Sequence, residues 1–211
     1  MGRNGAGKTT LLRALAGRVE TLAGGVDREG ACGLLPQWPG DLIVAESVAS
    51  EFRAGAESPE LDRMGLTGLA DRDPRDISGG ERQRLAVAIA TAGLEPERTI
   101  LLLDEPTLGM DRRRKGELRD WLRGLSDQGS AILVATHDTE FAAELCDRVL
   151  LLGEGEIVAD GPSGEVLSGG WYFSTEIARA VDIPGVATLD AALATLTGVR
   201  PHLGEPNRGR S

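Results

Sequence analysis

Three sets of residues have the types and spacing that do chemistry. The first is Gly2-Arg3-Asn4-Gly5-Ala6-Gly7-Lys8-Thr9-Thr10, which reads G-x-x-x-x-G-K-[ST], a phosphate-binding P-loop. Its glycines let the backbone curl so that successive N–H groups point at phosphate oxygens, where any Cβ would crowd the approach. Lys8 can reach the β- and γ-phosphates of a nucleotide, and the Thr9 hydroxyl is placed to ligate Mg²⁺. The second set is the apolar run 99–103 ending in Asp104-Glu105-Pro106-Thr107. Two adjacent carboxylates at the end of a buried strand repel each other unless a cation or a reacting water is present. Parallel α/β sheets place their ligands at that strand end. The third set is Ile77-Ser78-Gly79-Gly80-Glu81-Arg82-Gln83-Arg84, running into an apolar helix over 85–92. Ser78 is a natural N-cap and Glu81 completes a capping box. The paired glycines are explained if an anion docks on the helix N-terminus.

The elements that position these groups follow from periodicity. The P-loop opens a helix over 9–18, with Leu11, Leu12 and Leu15 on one side. Residues 31–35 read as a short strand ending at Pro36-Gln37, where a glutamine taken alone is a turn residue. Helical spacing is visible over 44–52 and again over 59–64, and 71–76 is a charged connector. The run 99–103 is a buried parallel strand, 111–125 an amphipathic helix, and 131–135 another buried strand ending at Thr136-His137-Asp138. A lone histidine there would cap or pack a helix. A helix around Phe141, a strand over 149–152, a hairpin turn at 153–155 into 156–159 and a short helix over 162–167 complete the core. Strands alternating with helices predict an α/β fold with a mainly parallel sheet. Beyond Gly169-Gly170 the character changes: an apolar cluster, two modest helices over 174–181 and 189–196, and a polar tail over 199–211 expected to be disordered. The predicted organisation is a core over 1–168, a helical extension over 169–198 and that tail. No internal repeat is visible.

Composition narrows the function classes. With 33 acidic against 23 basic residues the formal charge is −10. That argues against nucleic acid as a partner, because phosphate-backbone binding draws on Lys and Arg. Cys32 and Cys146 have no ligand-like spacing and read as reduced thiols. No stretch approaches the ~18–20 apolar residues of a transmembrane helix, so any membrane association must come through a partner.

The order of the motifs resembles that of the ATP-binding cassette (ABC) ATPases over residues 1–168, the Ser78-Gly79-Gly80-Glu81 signature being the most discriminating. The resemblance implies a P-loop NTPase with a small helical signature subdomain, ATP and Mg²⁺ as cofactors, and roles for matching positions. Gly2 to Thr10 match the Walker A loop, with Gly2, Asn4, Gly5, Ala6, Gly7, Lys8, Thr9 and Thr10 binding phosphates. Asp104 matches the Walker B aspartate that, with Thr9 and Gln37, serves Mg²⁺. Glu105 matches the glutamate that polarises the attacking water, Gln37 the Q-loop glutamine and His137 the switch histidine at the γ-phosphate. Asp111 matches the D-loop aspartate, within a variant Leu108-Gly109-Met110-Asp111. Ser78, Gly79, Gly80 and Glu81 would touch the nucleotide of a second cassette, so each chain forms half of each site.

Gln37-Trp38-Pro39-Gly40-Asp41-Leu42-Ile43 and Arg72-Asp73-Pro74-Arg75-Asp76 are similar to the matching segments of energy-coupling factor ATPases, which power vitamin and transition-metal uptake. That implies a second cassette, a transmembrane coupling subunit, a separate substrate-binding membrane subunit and a place on the cytoplasmic face of the membrane. Two alternatives stand beside it. A soluble cassette ATPase of DNA repair or translation would bring coiled coils, tandem cassettes or basic arms. A cassette without its start would bind nucleotide weakly. Such cassettes begin with an antiparallel β-subdomain carrying an adenine-stacking aromatic and with the strand feeding the P-loop, and neither precedes Gly2 here. Losing a core strand would cost a large part of a domain's marginal stability. The chain 1–211 expressed alone is therefore expected to be poorly stable and weakly active. A cooperative melt with ATP-dependent stabilisation would contradict that expectation.

Overall fold

The computed structural model describes residues 1–169 and 173–197. Its centre is a three-stranded parallel sheet in the order β1 (Ala31–Leu35), β2 (Thr99–Asp104), β3 (Ala131–Ala135). Leu35 is level with Leu103, and Asp104 with Ala135. β2 has a strand on each side and, after Thr99, an apolar run from Ile100 to Leu103, which is why it reads as continuous rather than alternating. Alternation still decides what each residue meets. Leu101 and Leu103 join the main core with Leu85 of α3 (Gly79–Thr91) and Leu118 and Leu122 of α4 (Arg112–Asp127). Leu102 turns the other way and packs on Leu12 of α1 (Lys8–Leu15).

A second sheet is the antiparallel hairpin of β4 (Arg148–Gly153) and β5 (Glu156–Pro162). Glu154 and Gly155 both have positive φ, 52° and 86°, the backbone a tight hairpin turn needs. The predicted mainly parallel sheet is thus a parallel triplet plus a separate hairpin. No hydrogen bond joins β3 to β4 among the described residues. A cavity of about 600 Å³ lies there, walled by Val134 and Leu133 on one side and Val149 and Leu150 on the other. Met1 and Gly2 run parallel to β4: Met1 N donates to Leu150 O at 2.5 Å, and Leu152 N to Met1 O at 2.8 Å.

Two helix expectations need correction. The helix after the P-loop is Lys8–Leu15, three residues shorter than 9–18 at its end. Gly17 N donates to Ala14 O and Arg18 N to Arg13 O, with Gly17 at φ 70°, a Schellman stop that the glycine itself encodes. Residues 44–52 are not a helix but a loop with one 3₁₀ turn, Ala49–Glu51. Val48 N and Ala49 N donate to Arg72 O and Ala70 O instead of to the preceding turn, and Val48 is sealed in the core. Tertiary pairing has overridden local spacing. The short helix at 59–64 is present as α2 (Pro59–Arg63), and the hairpin is preceded by α5 (Thr139–Leu145) and followed by α6 (Ser163–Ser168).

Two further helices, α7 (Glu176–Val181) and α8 (Leu189–Thr197), follow. Thr175 N donates to Leu167 O and Gly185 N to Ser168 Oγ, so this region is seated on α6. Phe173 packs beside Met1 and Leu167. Trp171, Tyr172 and the tail from 198 onward, including the disorder expected at 199–211, lie outside the described residues.

β1 and α3 approach so closely that only glycine fits at one point. A Cβ on Gly33 would stand 2.4 Å from Ala90 O and 2.8 Å from Leu94 Cδ1. Gly33→Ala is expected to push β1 off α3 and destabilise the chain by about 1–3 kcal/mol, read as a lower urea midpoint. An unchanged midpoint would show that the contact is slack.

Candidate functional site

The P-loop is shaped by backbone that only glycine takes comfortably. Gly5 and Gly7 have φ of 83° and 97°, and Gly7 is the left-handed N-cap of α1. A Cβ at either position would meet nothing within 4 Å, so the loop opens onto free space. That space fits a phosphate, because the first-turn N–H groups of α1 at Lys8, Thr9 and Thr10 have no intrahelical acceptor. Asn4 and Ala6 lie within the loop, whose turn is closed by Ala6 N donating to Arg3 O at 3.1 Å. Gly2 serves another purpose: a Cβ there would fall 2.4 Å from Leu152 O of β4. The Lys8 ammonium bends back along the loop and donates to Gly2 O at 2.8 Å and Arg3 O at 3.2 Å.

Asp104 shares the strand parity of Ile100 and Leu102, so it faces α1, and there the Thr9 hydroxyl donates to its Oδ2 at 2.5 Å. Burial pushes the Asp104 carboxyl above its ordinary value. The Thr9 hydrogen bond opposes this, the Glu105 charge adds to it, and Lys8 offsets it in part. A buried, partly frustrated carboxylate beside a hydroxyl fits a hard divalent cation that keeps most of its ligands as water and phosphate. The chain supplies no more than that: no group of three or more His, Cys, Asp or Glu residues able to cage a metal occurs among the described residues.

Glu105 leaves the strand by a left-handed turn, φ 50°, with its N–H donating to Ala135 O at 2.8 Å. The loop after β3 organises its carboxylate. Thr136 Oγ1 donates to Oε2 at 3.1 Å, and His137 Nδ1 lies 2.9 Å from Oε1. An ionised carboxylate can only accept, so the proton of a neutral His137 sits on Nδ1 and Nε2 is left available. Asp138 holds that loop in place. It caps α5 through Phe141 N at 3.0 Å and pairs with Lys115 Nζ of α4 at 2.5 Å. Burial pushes its carboxyl up, but Lys115, the Phe141 amide and Thr107 outweigh it and hold the group below its ordinary value.

Ser78, Gly79, Gly80 and Glu81 form the first turn of α3. The capping box is complete: Glu81 N donates to Ser78 Oγ at 3.3 Å and Ser78 N to Glu81 Oε2 at 2.7 Å. Ser78 and Gly79 are exposed, and among the described residues Lys8 and Thr9 of the P-loop bond to Gly2, Arg3 and Asp104 rather than to this turn. Gly80 abuts Gly109, whose oxygen would lie 2.6 Å from a Cβ added at 80. Asp111 is the N-cap of α4, accepting from Arg114 N at 2.8 Å, and that bond holds its carboxyl low. Gln37 is exposed in the bend after β1, two residues past Leu35, and makes no hydrogen bond to Thr9 or Asp104.

Thus Lys8, Thr9, Asp104, Glu105 and His137 form one linked group, while Gln37, Asp111 and the Ser78 turn stand apart from it. Sequence reasoning missed Thr136, the Lys115–Asp138 pair and Gln83. The last had a visible signal, a glutamine in the helical register of Val87 and Ala90.

The family model described as ABC transporter matches residues 1–108, and the chain belongs to that family. A Streptomyces coelicolor relative named "Putative ABC transporter ATP-binding protein" is 42% identical over 203 residues, covering 86% of this chain and 36% of its own. A Streptomyces avermitilis relative of the same description is 44% identical over 201 residues, covering 85% of this chain and 35% of its own. The chain thus spans about a third of the length of these relatives. Among solved structures, cbiO1 of Clostridium perfringens, part of the ABC transporter complex cbiONQ, superposes with a TM-score of 0.62 at 27% identity. The match covers 79% of this chain and 76% of that one.

Asp104 yields a test of the site's electrostatics. Its carboxyl titrates above the ordinary value of 3.8 in the fold, so the folded state binds more protons just above that pH. Stability must then fall as pH rises from 3.8 through the raised value. Asp104→Asn keeps an acceptor for Thr9 and removes the buried charge. It is expected to stabilise the nucleotide-free chain at pH 7 in chelator by about 1 kcal/mol, with the gain shrinking as pH is lowered toward 4. A variant no more stable than wild type at pH 7 would refute this.

Proposed function

We propose that this chain is the ATP-hydrolysing cassette of an importer of the energy-coupling factor type, driving uptake of a vitamin or transition-metal ion. The observation that carries the reading is the 2.5 Å bond between Thr9 and Asp104 at the mouth of the glycine loop, with Glu105 held beside it by Thr136 and His137. Phosphoryl transfer needs positioning and charge neutralisation more than covalent chemistry. The α1 amides and Lys8 take the phosphates, Lys8 by exchanging its loop carbonyls for β- and γ-oxygens. Thr9 and Asp104 are the residues that would hold Mg²⁺, which when bound neutralises charge across the β- and γ-phosphates. Glu105 accepts a hydrogen bond from water and orients it, and His137 offers its second nitrogen toward the γ-phosphate.

The partners belong to the same proposal. Ser78, Gly79, Gly80 and Glu81 serve the nucleotide of a second cassette, with Asp111 near the junction. Gln37 reports the Mg²⁺ and γ-phosphate state to a transmembrane coupling subunit. Trp38 and Val44, 69% and 85% exposed, support a docking surface just past Gln37. A separate substrate-binding membrane subunit chooses the cargo, and the cassette works at the cytoplasmic face of the membrane. No helix among the described residues is long and apolar enough to cross a membrane itself. The relative in the cbiONQ complex supports this importer reading.

Glu105→Gln is expected to keep ATP binding and ATP-driven pairing of cassettes while lowering hydrolysis by about 10²–10⁴-fold. Single-turnover hydrolysis and sedimentation with ATP measure the two effects. Unchanged turnover would remove Glu105 from this role.

A further inference from the structure

We infer that Gln83 is a positioning residue that fixes the main chain of Glu105 from the signature helix α3. The helix offered to a second cassette thereby also sets where the Glu105 carboxylate stands. The inference rests on the proposed hydrolytic role of Glu105.

Gln83 is 1% exposed, and its Nε2 donates to Glu105 O at 3.0 Å. The acceptor is a carbonyl, so the amide nitrogen must face it and the orientation of the side chain is settled. Gln83 Oε1 is then buried without a partner among the described residues. A buried unsatisfied acceptor costs stability, and an apolar side chain of similar length would fill the space without that cost. Packing therefore does not account for glutamine at this position. The donor does.

What the donor holds is strained. Glu105, Glu154 and Asp182 are the non-glycine residues with positive φ among those described. Glu154 sits in the hairpin turn and Asp182 caps α7, so each has a local cause. Glu105 lies at neither kind of position. A left-handed non-glycine residue persists where its surroundings over-determine it. The anchors are Glu105 N on Ala135 O at 2.8 Å, Leu108 N on Glu105 O at 3.2 Å, and Gln83. The first two belong to the sheet and to the loop itself. Gln83 brings in α3.

A second contact joins the same two elements. Gly80 presses against Gly109, at the far end of the loop that Glu105 begins. Gly80 and Gln83 are three apart, so they share one face of α3. Any shift of the Ser78–Gly80 turn is therefore delivered to both ends of the segment from Glu105 to Gly109.

The test compares Gln83→Met, which keeps length and loses the donor, with wild type in the full chain. Amide hydrogen exchange is expected to quicken at Leu108, whose N–H shares the Glu105 carbonyl, while protection over Leu85 to Ala90 is unchanged. Turnover is expected to fall about tenfold at unchanged KM for ATP. Gln83→Glu regains a donor only when protonated. Its turnover relative to wild type should therefore rise as pH is lowered, whereas the ratio for Gln83→Met stays flat. Unchanged exchange at Leu108, or kcat and KM moving together, would overturn the inference. If Glu105→Gln keeps full turnover, the hydrolytic reading of Glu105 falls instead. The exchange measurement still reads the clamp, with or without turnover.

Discussion

The constraint on which the rest depends is a carboxylate buried at the end of the central strand. Asp104 is 2% exposed, and its neighbour Glu105 is 8% exposed. Taking an ion out of water costs several kcal/mol even after relaxation, so the chain must bring polar groups to it. Parity along β2 turns Asp104 to the face of α1, and α1 must lie flat enough on that face for Thr9 to arrive at 2.5 Å. Leu12 against Leu102 sets that approach. Gly7, at φ 97°, lets the chain enter the helix from above the strand end. The glycine loop and the strand are thus two answers to one electrostatic demand.

The second carboxylate has the opposite requirement. If Glu105 continued the strand it would lie in the sheet, next to Asp104 and away from any water to be activated. The left-handed turn, worth roughly 1–2 kcal/mol of strain for a residue with a Cβ, takes it out. The loop after β3 then has to be rigid enough to catch it. Lys115, Thr107 and the Phe141 amide all converge on Asp138 for that purpose. One half-buried ion pair between α4 and the start of α5 thereby helps to fix the loop that carries Thr136 and His137.

Much of this was legible in the sequence, and the failures have physical causes. β1 and β3 fall at the predicted residues because each is a short apolar run, β1 closed by Pro36 and β3 giving way to the polar Thr136-His137-Asp138. The capping box at Ser78 and Glu81 and the carboxylates at the strand end are local patterns, and local patterns survive folding. Residues 44–52 misled because Val48 and Phe52 have helical spacing, yet that burial is paid for by backbone bonds to Ala70 and Arg72, distant in sequence. α1 stops short of 18 because Gly17, at φ 70°, closes a Schellman motif that leucine spacing does not register. The parallel register, the separate hairpin and the cavity beside β3 are pairings between distant segments, which periodicity does not encode. Gln83 was hidden for a related reason: its partner is a carbonyl, and carbonyls have no signature.

The first turn of α3 shows why a cassette of this kind is proposed to act in pairs. Its capping box satisfies the amides of Ser78 and Glu81 within the chain. The amides of Gly79 and Gly80 remain, as the first N–H groups of a helix always do. They sit at the positive end of a thirteen-residue helix, at a place where Gly79 has no Cβ and no neighbour within 4 Å of one. Among the described residues, Lys8 and Thr9 of the same chain's P-loop bond to Gly2, Arg3 and Asp104 rather than to this end. With Gly79 exposed and Gly80 half-buried, their amides are satisfied by solvent in the single chain, and in the proposed pair the phosphates carried by another cassette would take the place of that water. The tie from Gln83 to Glu105 gives that arrangement its consequence. If the proposed pairing holds, a neighbour's nucleotide on the signature turn would bear on the same helix that holds the Glu105 main chain through Gln83, which would couple the two proposed sites through α3.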